Sequence, residues 1–312
     1  MIFKKNCSMR LIFCFVGYSL VFGLNCKSQL KHYYCTAADK KFYDRLKNLI
    51  GSIHQFDFEN LSEIAVFDLG LKSEQRAELK KMQKVSLHEV EITHPDILKE
   101  FVISPGKRRT IGHFAWKPVV IKQALELFPY VLYLDAGVTV LKQLDDLFDC
   151  INQRGYFFLV IPDFTYKGIK NWVSVENRAT KRVIQTLLND VNNEQRMAIL
   201  RKANIVAGVQ GLTRALLNDY VLPLYQNSYD ISLFEDDGSA PLGWGEARHD
   251  QILSSIYVHR IGYILNELGW STIEISTGNK HVHVHHLLNE TNKDTVILLS
   301  SALDCKKSIR FR

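Results

Sequence analysis

Blocks of apolar positions with different spacings follow one another along the chain, and the clearest pair lies between Phe114 and Leu141. The second block, Tyr130 to Leu134, is a short apolar run that begins after Pro129 and ends before Asp135, as is typical of a buried strand. The first block has apolar residues at the spacing of an amphipathic helix: Val119, Val120, Ala124, Leu125 and Phe128. The pattern predicts a helix, a tight turn and a strand.

Further blocks extend this unit into an alternating series. Apolar segments predict strands over Lys31 to Thr36, Ile64 to Leu69, Gly155 to Pro162 and Asn204 to Arg214, and an alternating pattern predicts one over Val85 to Ile92. Lys280 to Leu288 is a further candidate strand. Mixed segments predict the helices: Lys40 to His54, Lys72 to Lys84, Leu144 to Cys150, Thr213 to Gln226 and one that starts near His249. Strands that are apolar on both faces belong in a mostly parallel sheet flanked by helices, and the strand–helix–strand order favours parallel crossovers. The expected fold class is α/β, with Val85 to Ile92 as an exposed or edge strand.

The ends of the predicted strands carry the candidate chemistry. Ligands of open α/β sheets bind beyond the carboxyl ends of the strands, and Asp135 stands at such an end. Ala136 and Gly137 follow it, and glycine lets a phosphate or a metal approach the backbone closely. Asp39 follows the first strand in a similar way, and its carboxylate is equally suited to cap the next helix.

Trp116-Lys117-Pro118, followed by Leu134-Asp135-Ala136-Gly137, resembles the core of the nucleotide-sugar glycosyltransferases of the GT-A fold, the glycogenin-like retaining enzymes and their relatives. The resemblance implies a Rossmann-like GT-A domain with a C-terminal extension on the acceptor side. It also implies transfer from a UDP- or GDP-sugar to a glycan, protein or lipid acceptor. Asp135 and Lys117 would then be catalytic residues that contact the donor.

Two later segments are similar to the same families. The strand from Asn204 to Arg214 carries Gly208 and Gln210, which would line the sugar pocket, although glycine in a strand can also mark a bulge. His249-Asp250-Gln251 matches a motif at the start of a helix, and the resemblance gives Asp250 a sugar contact and a catalytic role. A helix-capping role for Asp250 is the alternative.

The resemblance also implies which of these segments contacts which part of the donor. The end of the first strand would hold the base or the ribose, the helix at Trp116 and the turn at Asp135 would face the nucleotide sugar, and the glycine-containing strand would form the floor of the sugar pocket. The donor-binding residues expected in this way are Thr36, Ala37, Asp39, Trp116, Lys117, Asp135, Gly137, Gly208 and Gln210.

A metal is implied by the same resemblance, with one departure. Gly137 stands where the related motif has a second aspartate, so one carboxylate ligand is missing. The segment KHVHVHHLL places His283 and His285 on one face of a predicted strand. Asp135, His283 and His285 would bind Mn²⁺ or Mg²⁺, although such ions prefer oxygen ligands. A zinc cluster and a chance run of histidines are the alternatives.

Composition and charge limit the classes of partner that we expect the chain to bind. With 46% hydrophobic and 23% charged residues, the 312-residue chain can bury a substantial core. Its net charge of +6 suits an anionic ligand or a weak attraction to a membrane surface, and it is small for a nucleic-acid-binding protein. We therefore expect no nucleic acid among the partners.

Residues 1–28 differ from the rest of the chain. Lys4, Lys5 and Arg10 precede an uncharged stretch from Leu11 to Leu24, which is short for a membrane span and suits a signal peptide. We expect a signal peptide or a short signal anchor, a secretory or exported location, and a transferase domain over 29–312. A buried core helix is the alternative for this stretch.

Two other functions share these features. A transferase-fold module that binds a glycan or a nucleotide without turnover would account for the missing second aspartate. A nucleotidyltransferase shares the α/β layout. It typically carries a glycine-rich loop near its first strand, and none follows Tyr34. The leading hypothesis is therefore a glycosyltransferase.

Overall fold

The computed structural model describes residues 30–103, 108–161 and 172–265, and the backbone of three further strands over 270–277, 280–289 and 292–300. The predicted leader, residues 1–28, and the side chains of His283 and His285 lie outside the described residues. Within the described ranges, no helix is both long enough and apolar enough to cross a bilayer.

Strands and helices alternate along much of the described chain. The strands are β1 (His32–Ala38), β2 (Leu61–Asp68), β3 (Val85–Glu89), β4 (Glu100–Ile103), β5 (Arg108–Ile111), β6 (Tyr130–Leu134), β7 (Val138–Val140), β8 (Tyr156–Val160), β9 (Ile205–Thr213), β10 (Trp270–Thr277), β11 (Lys280–Asn289) and β12 (Asn292–Ser300). The α-helices are α1 (Tyr43–Phe56), α2 (Ser73–Leu79), α3 (Trp116–Leu127), α4 (Asp145–Arg154), α5 (Val175–Arg178), α6 (Lys181–Leu187), α7 (Asn193–Leu200), α8 (Leu222–Asn227) and α9 (His249–Ile261).

The central sheet has six strands in the order β3-β2-β1-β6-β9-β8. β1 pairs in parallel with β2 and with β6, and β2 pairs in parallel with β3. β9 runs antiparallel to both β6 and β8. The predicted α/β fold with a mostly parallel central sheet is confirmed, and β3 lies at an edge of the sheet as expected.

Apolar layers cover both faces of this sheet, and β6 shows the reason. Val131 and Tyr133 belong to the layer that contains α3 and α9. Leu132 and Leu134 belong to the opposite layer, which contains α1 and α4. All four side chains are fully buried. A strand that is apolar on both faces is stable only between two such layers, and this places Asp135 at the point where the chain leaves the core.

The turn that contains Asp135 connects two sheets. β6 ends in the central sheet, and β7 belongs to a separate antiparallel sheet of order β10-β11-β12-β7. β7 pairs with β12 through Val138 opposite Ser300 and Val140 opposite Leu298. The short segment between β6 and β7 is therefore anchored by strand pairing on both sides.

The first strand is longer than predicted. Ala37 and Ala38 still pair with β2, so β1 continues two residues beyond Thr36. The expectation that Thr36 lies at the strand end is wrong, because the ladder between β1 and β2 continues past it. Thr36 is 1% exposed.

Two predicted helices are also shorter than expected. The segment predicted as a helix from Lys72 to Lys84 contains only α2, and Lys84 has a left-handed backbone with φ of 56°, which a helix does not contain. The segment from Thr213 to Gln226 begins as the end of β9 and passes through short helical turns before α8. Pro223 lies in the first turn of α8, where its missing N–H is tolerated.

Candidate active site

A cavity of about 720 Å³ lies at the carboxyl ends of β1 and β6. This volume is within the range of small-molecule sites. Most of the predicted donor-binding residues line it: Ala37, Asp39, Trp116, Lys117, Asp135, Gly137 and Gly208. The first turn of α9 contributes His249, Asp250 and Gln251. The structure therefore brings together segments that are far apart in the sequence.

Asp135 is fixed by its neighbours on two strands. Its backbone N–H donates to the carbonyl of Gly208 in β9 at 2.9 Å. The hydroxyl of Tyr133 donates to its Oδ1 at 2.6 Å. Residues two apart in a strand share a face, which is why Tyr133 reaches this carboxylate. The Asp135 side chain is 45% exposed and faces the cavity.

Lys117 lies in the first turn of α3 and links two carboxylates. Its Nζ is 3.1 Å from Oδ1 of Asp135 and 2.7 Å from Oδ2 of Asp250. Only 5% of its side chain is exposed. Pro118 is accommodated in this turn because the N–H that it lacks would have no partner within the helix. The ammonium group of Lys117 thus holds α3, the β6 end and α9 together at one point.

Asp250 is the buried member of this group. Its side chain is 9% exposed. The N-cap position of α9 is Arg248, with no side-chain cap, so the alternative of Asp250 as the N-cap residue is not observed. His249 before it has φ of 40° and contacts the carbonyl of Phe234 through Nδ1 at 2.6 Å. A carbonyl only accepts, so Nδ1 carries the proton.

The three charged groups shift one another's proton affinities. Burial alone would lower the pKa of Lys117, but the carboxylates of Asp135 and Asp250 outweigh it and raise this pKa above the ordinary value. Burial raises the pKa of Asp250, and Lys117 opposes this rise. Burial and the nearby Asp135 raise the pKa of Tyr133, which keeps its hydroxyl a donor. At neutral pH Lys117 is therefore charged.

Two predicted donor-binding residues are not brought to the cavity. Thr36 is buried inside β1. Gln210 is 1% exposed, donates to the carbonyl of Ala207 at 2.9 Å and accepts from the hydroxyl of Tyr220 at 2.6 Å. These bonds give Gln210 a role in fixing β9. Gly208, two residues earlier, lines the cavity together with Val206 and Ala207 of the same strand.

Asp39 lies at the cavity and also organises the chain after β1. Its Oδ1 accepts from the backbone N–H groups of Lys41 and Phe42, both at 2.9 Å. The predicted capping role is therefore close to what is observed, since the carboxylate stabilises the turn that leads into α1. The predicted donor contact of Asp39 stays a prediction.

Ion pairs at the cavity rim were not apparent from the sequence. Glu100 in β4 pairs with both Lys41 and Arg109. All three residues line the cavity. Arg109 ends a run of three basic residues, Lys107 to Arg109, that precedes the Trp116 helix. Glu100 becomes its partner only because β4 and β5 form a hairpin. Charge spacing along the chain does not reveal such a pairing.

One group of potential metal ligands occurs among the described side chains, at a different place. His32, Asp57 and Asp145 bring ligand atoms within 4.8 Å of one another and could hold a divalent ion. Nδ1 of His32 is 2.7 Å from Asp57, whose carboxylate also accepts from Tyr34. His32 begins β1, whereas the cavity lies at the other end of this strand, about 20 Å away for a strand of this length. This cluster cannot serve the cavity.

Comparison with known proteins gives distant similarities of structure. No family model and no curated protein sequence matches the chain. The apo bifunctional glycosyltransferase WbbM is 12% identical with a TM-score of 0.41, and the match covers 74% of this chain and 38% of that one. Core-mannan synthase A of Aspergillus fumigatus, in its Mn/GDP form, is 11% identical with a TM-score of 0.47, over 74% and 70% of the two chains.

Mouse xyloside xylosyltransferase 1 is 13% identical with a TM-score of 0.41, over 74% of this chain and 82% of that one. These structural neighbours are glycosyltransferases, whereas the chain spans well under half of WbbM. Similarities this distant assign neither a family nor an activity to the chain. The functional conclusion rests on the geometry of the cavity.

Proposed function

We propose that the chain is a glycosyltransferase that moves a sugar from a UDP- or GDP-sugar to an acceptor in this cavity. The main support is the contact of Lys117 with both Asp135 and Asp250 at the carboxyl ends of the strands. Burying an ammonium between two carboxylates is a poor way to gain stability, and groups with shifted pKa values in a cleft mark functional sites. Export or membrane anchoring through residues 1–28 is part of the proposal.

The cavity lining suits a nucleoside diphosphate. Its basic residues besides Lys117 are Lys41, Arg45, Arg109, Arg178 and Arg248. Arginine binds phosphate oxygens through two parallel hydrogen bonds, whereas lysine acts as a point charge. The backbone of Ala37 and Gly137 offers surfaces without bulky side chains on which the donor can lie.

The residues at Asp135 fit a divalent ion. Lys117 provides one positive charge for the two carboxylates of Asp135 and Asp250, so one negative charge is left over when all are ionised. Asp135 is half exposed to the cavity, and carboxylate oxygens are the ligands that Mn²⁺ and Mg²⁺ prefer. Asp135 would hold such an ion together with the predicted ligands His283 and His285. A bound ion would supply Lewis-acid stabilisation of the diphosphate oxygens.

The side chains then act on the donor in distinct ways. Loss of the nucleoside diphosphate builds negative charge on its oxygens, and a positive charge fixed beside them lowers the barrier. Lys117 supplies such a charge and also keeps Asp135 and Asp250 in place. Asp250 accepts a hydrogen bond from a hydroxyl of the donor sugar. Retention of configuration is proposed from the sequence resemblance.

The experiment that tests this function is a donor panel. The protein is incubated with Mn²⁺ and UDP-glucose, UDP-galactose, UDP-N-acetylglucosamine, GDP-mannose or GDP-fucose, and free UDP or GDP is measured. Asp135→Asn keeps the shape of the side chain and should reduce release about 100-fold or more. Asp146→Asn on the exposed side of α4 is the control and should not change release.

A binding module without turnover is the second candidate, because Gly137 removes a carboxylate from the site. Calorimetry with UDP and with GDP separates the two. Binding together with donor cleavage supports the transferase, and binding without cleavage of any donor supports the module. If neither nucleotide binds and no donor is cleaved, the transferase is refuted, and of the binding modules only one that binds a glycan is left.

A further inference from the structure

An exposed tryptophan lies on the loop that leads into α9. Trp244 is 54% exposed, whereas Trp116 and Trp172, which line the cavity, are 6% and 7% exposed. The loop begins after Phe234 and continues into Glu246, Arg248 and His249. These last three residues line the cavity. Trp244 is therefore on the outer part of a segment whose end forms the site wall.

The indole ring rests on a glycine. A Cβ atom at Gly238 would lie 2.5 Å from Nε1 and 2.7 Å from Cδ2 of Trp244, which is too close for any side chain. Gly238 also has φ of 73°, a conformation that favours glycine. Gly238 thus lies directly against the indole of Trp244.

A buried carboxylate fixes the two arms of this loop. Asp236 is 3% exposed, and its Oδ1 accepts from the backbone N–H of Gly238 at 3.0 Å. Its Oδ2 accepts from the N–H of Gly245 at 2.6 Å. Asp236 therefore connects Gly238, which lies against the indole, with Gly245, which follows Trp244. A loop that is already held in one conformation loses little conformational entropy when a ligand binds.

A second carboxylate follows Trp244 along the chain, before the residues of α9 that line the cavity. Glu246 accepts from Nη1 of Arg178 at 2.5 Å through its side chain and at 3.0 Å through its backbone carbonyl. Arg178 is 4% exposed, while the Glu246 side chain is 26% exposed and lines the cavity. Glu246 is thus oriented by a buried cation and still accessible to a ligand hydroxyl.

We propose that Trp244 and Glu246 form the acceptor subsite, and that the acceptor is a glycan. The C–H face of a sugar ring is apolar and packs on an aromatic ring, while its hydroxyl groups form a polar edge that a carboxylate can bind. Trp244 and Glu246, two residues apart on this loop, supply an exposed aromatic residue and a partly exposed carboxylate that match this pattern. An acyl chain instead needs a continuous apolar groove. This inference rests on the proposed function, because a sugar bound at Trp244 and Glu246 is an acceptor only if the cavity holds a donor sugar.

The test is binding of the full chain to a glycan array that displays oligosaccharides of glucose, galactose, mannose and N-acetylglucosamine. The wild-type protein should bind at least one glycan, and Trp244→Ala should weaken this binding by about tenfold or more. Trp244→Phe keeps an aromatic face and should retain most of the affinity. Tyr229→Ala removes an aromatic residue that is 50% exposed elsewhere, and it should bind like the wild type.

The proposal is overturned if the wild type binds no glycan, or if Trp244→Ala binds as tightly as the wild type. Calorimetry with UDP and GDP on the same two proteins keeps this result separate from the proposed function. Loss of glycan binding with unchanged nucleotide binding supports the acceptor subsite. Glycan binding by a protein that binds neither nucleotide would support a glycan platform and refute the transferase.

Discussion

The carboxylate of Asp135 lies against Gly208, and a larger residue there would have to displace it: a Cβ atom at position 208 would be 2.7 Å from Oδ2 of Asp135. The two residues also share a backbone hydrogen bond of 2.9 Å. The glycine in β9 is therefore a condition for the position of the carboxylate. The sequence pattern allowed Gly208 to be part of a pocket floor or to mark a bulge. The structure gives it a specific role, which is to leave room for the Asp135 carboxylate.

Gly208→Ala should displace the Asp135 carboxylate and weaken UDP or GDP binding while the protein stays folded. The reason is that the neighbour of the new Cβ is a half-exposed side chain, which can rotate away. Gly211→Ala in the same strand is the matched comparison. Its Cβ would meet the buried side chain of Ile151 and lie 2.8 Å from Cβ of Phe157.

Overpacking of a buried site costs about 1–3 kcal/mol, so Gly211→Ala should lower the unfolding midpoint in urea. Nucleotide binding by its folded fraction should not change. Calorimetry and urea unfolding on the two variants distinguish these effects. Equal losses of stability in both variants, without a binding defect in Gly208→Ala, would contradict the role assigned to Gly208.

Lys117→Met should destabilise the protein by about 3–5 kcal/mol, because it leaves the buried Asp250 carboxylate without its cation. Adding Asp250→Asn removes this uncompensated charge, so the double variant should recover much of the lost stability. It should not recover donor cleavage, since both groups act on the donor. Urea unfolding of the two variants and of wild type is the measurement. A double variant that is no more stable than Lys117→Met would show that the ion pair is not the cause.

Glu100→Gln should strengthen UDP and GDP binding by about two- to fivefold, since exposed ion pairs contribute little and their disruption frees Lys41 and Arg109 for phosphate. The gain should shrink as salt is added, because free charges near a surface are screened. Glu126→Gln is the control: Glu126 pairs with Lys122 on α3 and does not line the cavity. Weaker nucleotide binding by Glu100→Gln would instead mean that the ion pairs of Glu100 with Lys41 and Arg109 hold the β4–β5 hairpin in place.

Stability should fall in mild acid. Burial lowers the pKa of His88, His113 and His259, against smaller opposing effects from neighbouring groups. The unfolded chain takes up protons at these positions below about pH 6.5, while the folded chain takes them up only at lower pH. The free energy of unfolding should therefore be at its full value above this pH and decrease as the pH falls toward the folded pKa values.

Urea unfolding midpoints measured at a series of pH values give the slope of stability against pH. His259→Gln should make it shallower, because Nε2 of His259 lies 2.8 Å from the carbonyl of Ala203 and a glutamine amide can donate there without titrating. An unchanged slope in this variant would assign the acid sensitivity to other groups.

The sequence predicted the central unit because its signals are local. The helix before Asp135 and the strand that ends at Leu134 each follow from the spacing of neighbouring residues, and the mostly parallel sheet follows from their alternation. Lys117 and Asp135 could therefore be placed near one another. The contact between Lys117 and Asp250 could not, because it depends on how α9 packs against α3 and β9.

The same limit explains the errors. Thr36 and Gln210 were expected at the site because the resemblance implied that the end of the first strand and the glycine-containing strand hold the donor. Which residues of a strand reach a cavity cannot be located from the sequence pattern alone. Tyr133 was missed, although its position two residues before Asp135 places both on one face. The rim pair of Glu100 and Arg109 was missed as well, although Pro105-Gly106 between them is a turn signal from which the β4–β5 hairpin could have been predicted.

The pairing of β7 with β12 has a consequence for the order of folding. Val138 lies three residues after Asp135, yet its partner Ser300 is near the far end of the chain. Contacts between distant segments form slowly because a long loop must first be closed. During synthesis, β1 to β6 leave the ribosome long before β12 does, so they are free to pair with one another while β7 still lacks its partner strand. The segment that carries Asp135 consequently acquires its second support late, so a nascent chain can be largely folded while the turn at Asp135 is still anchored on one side only.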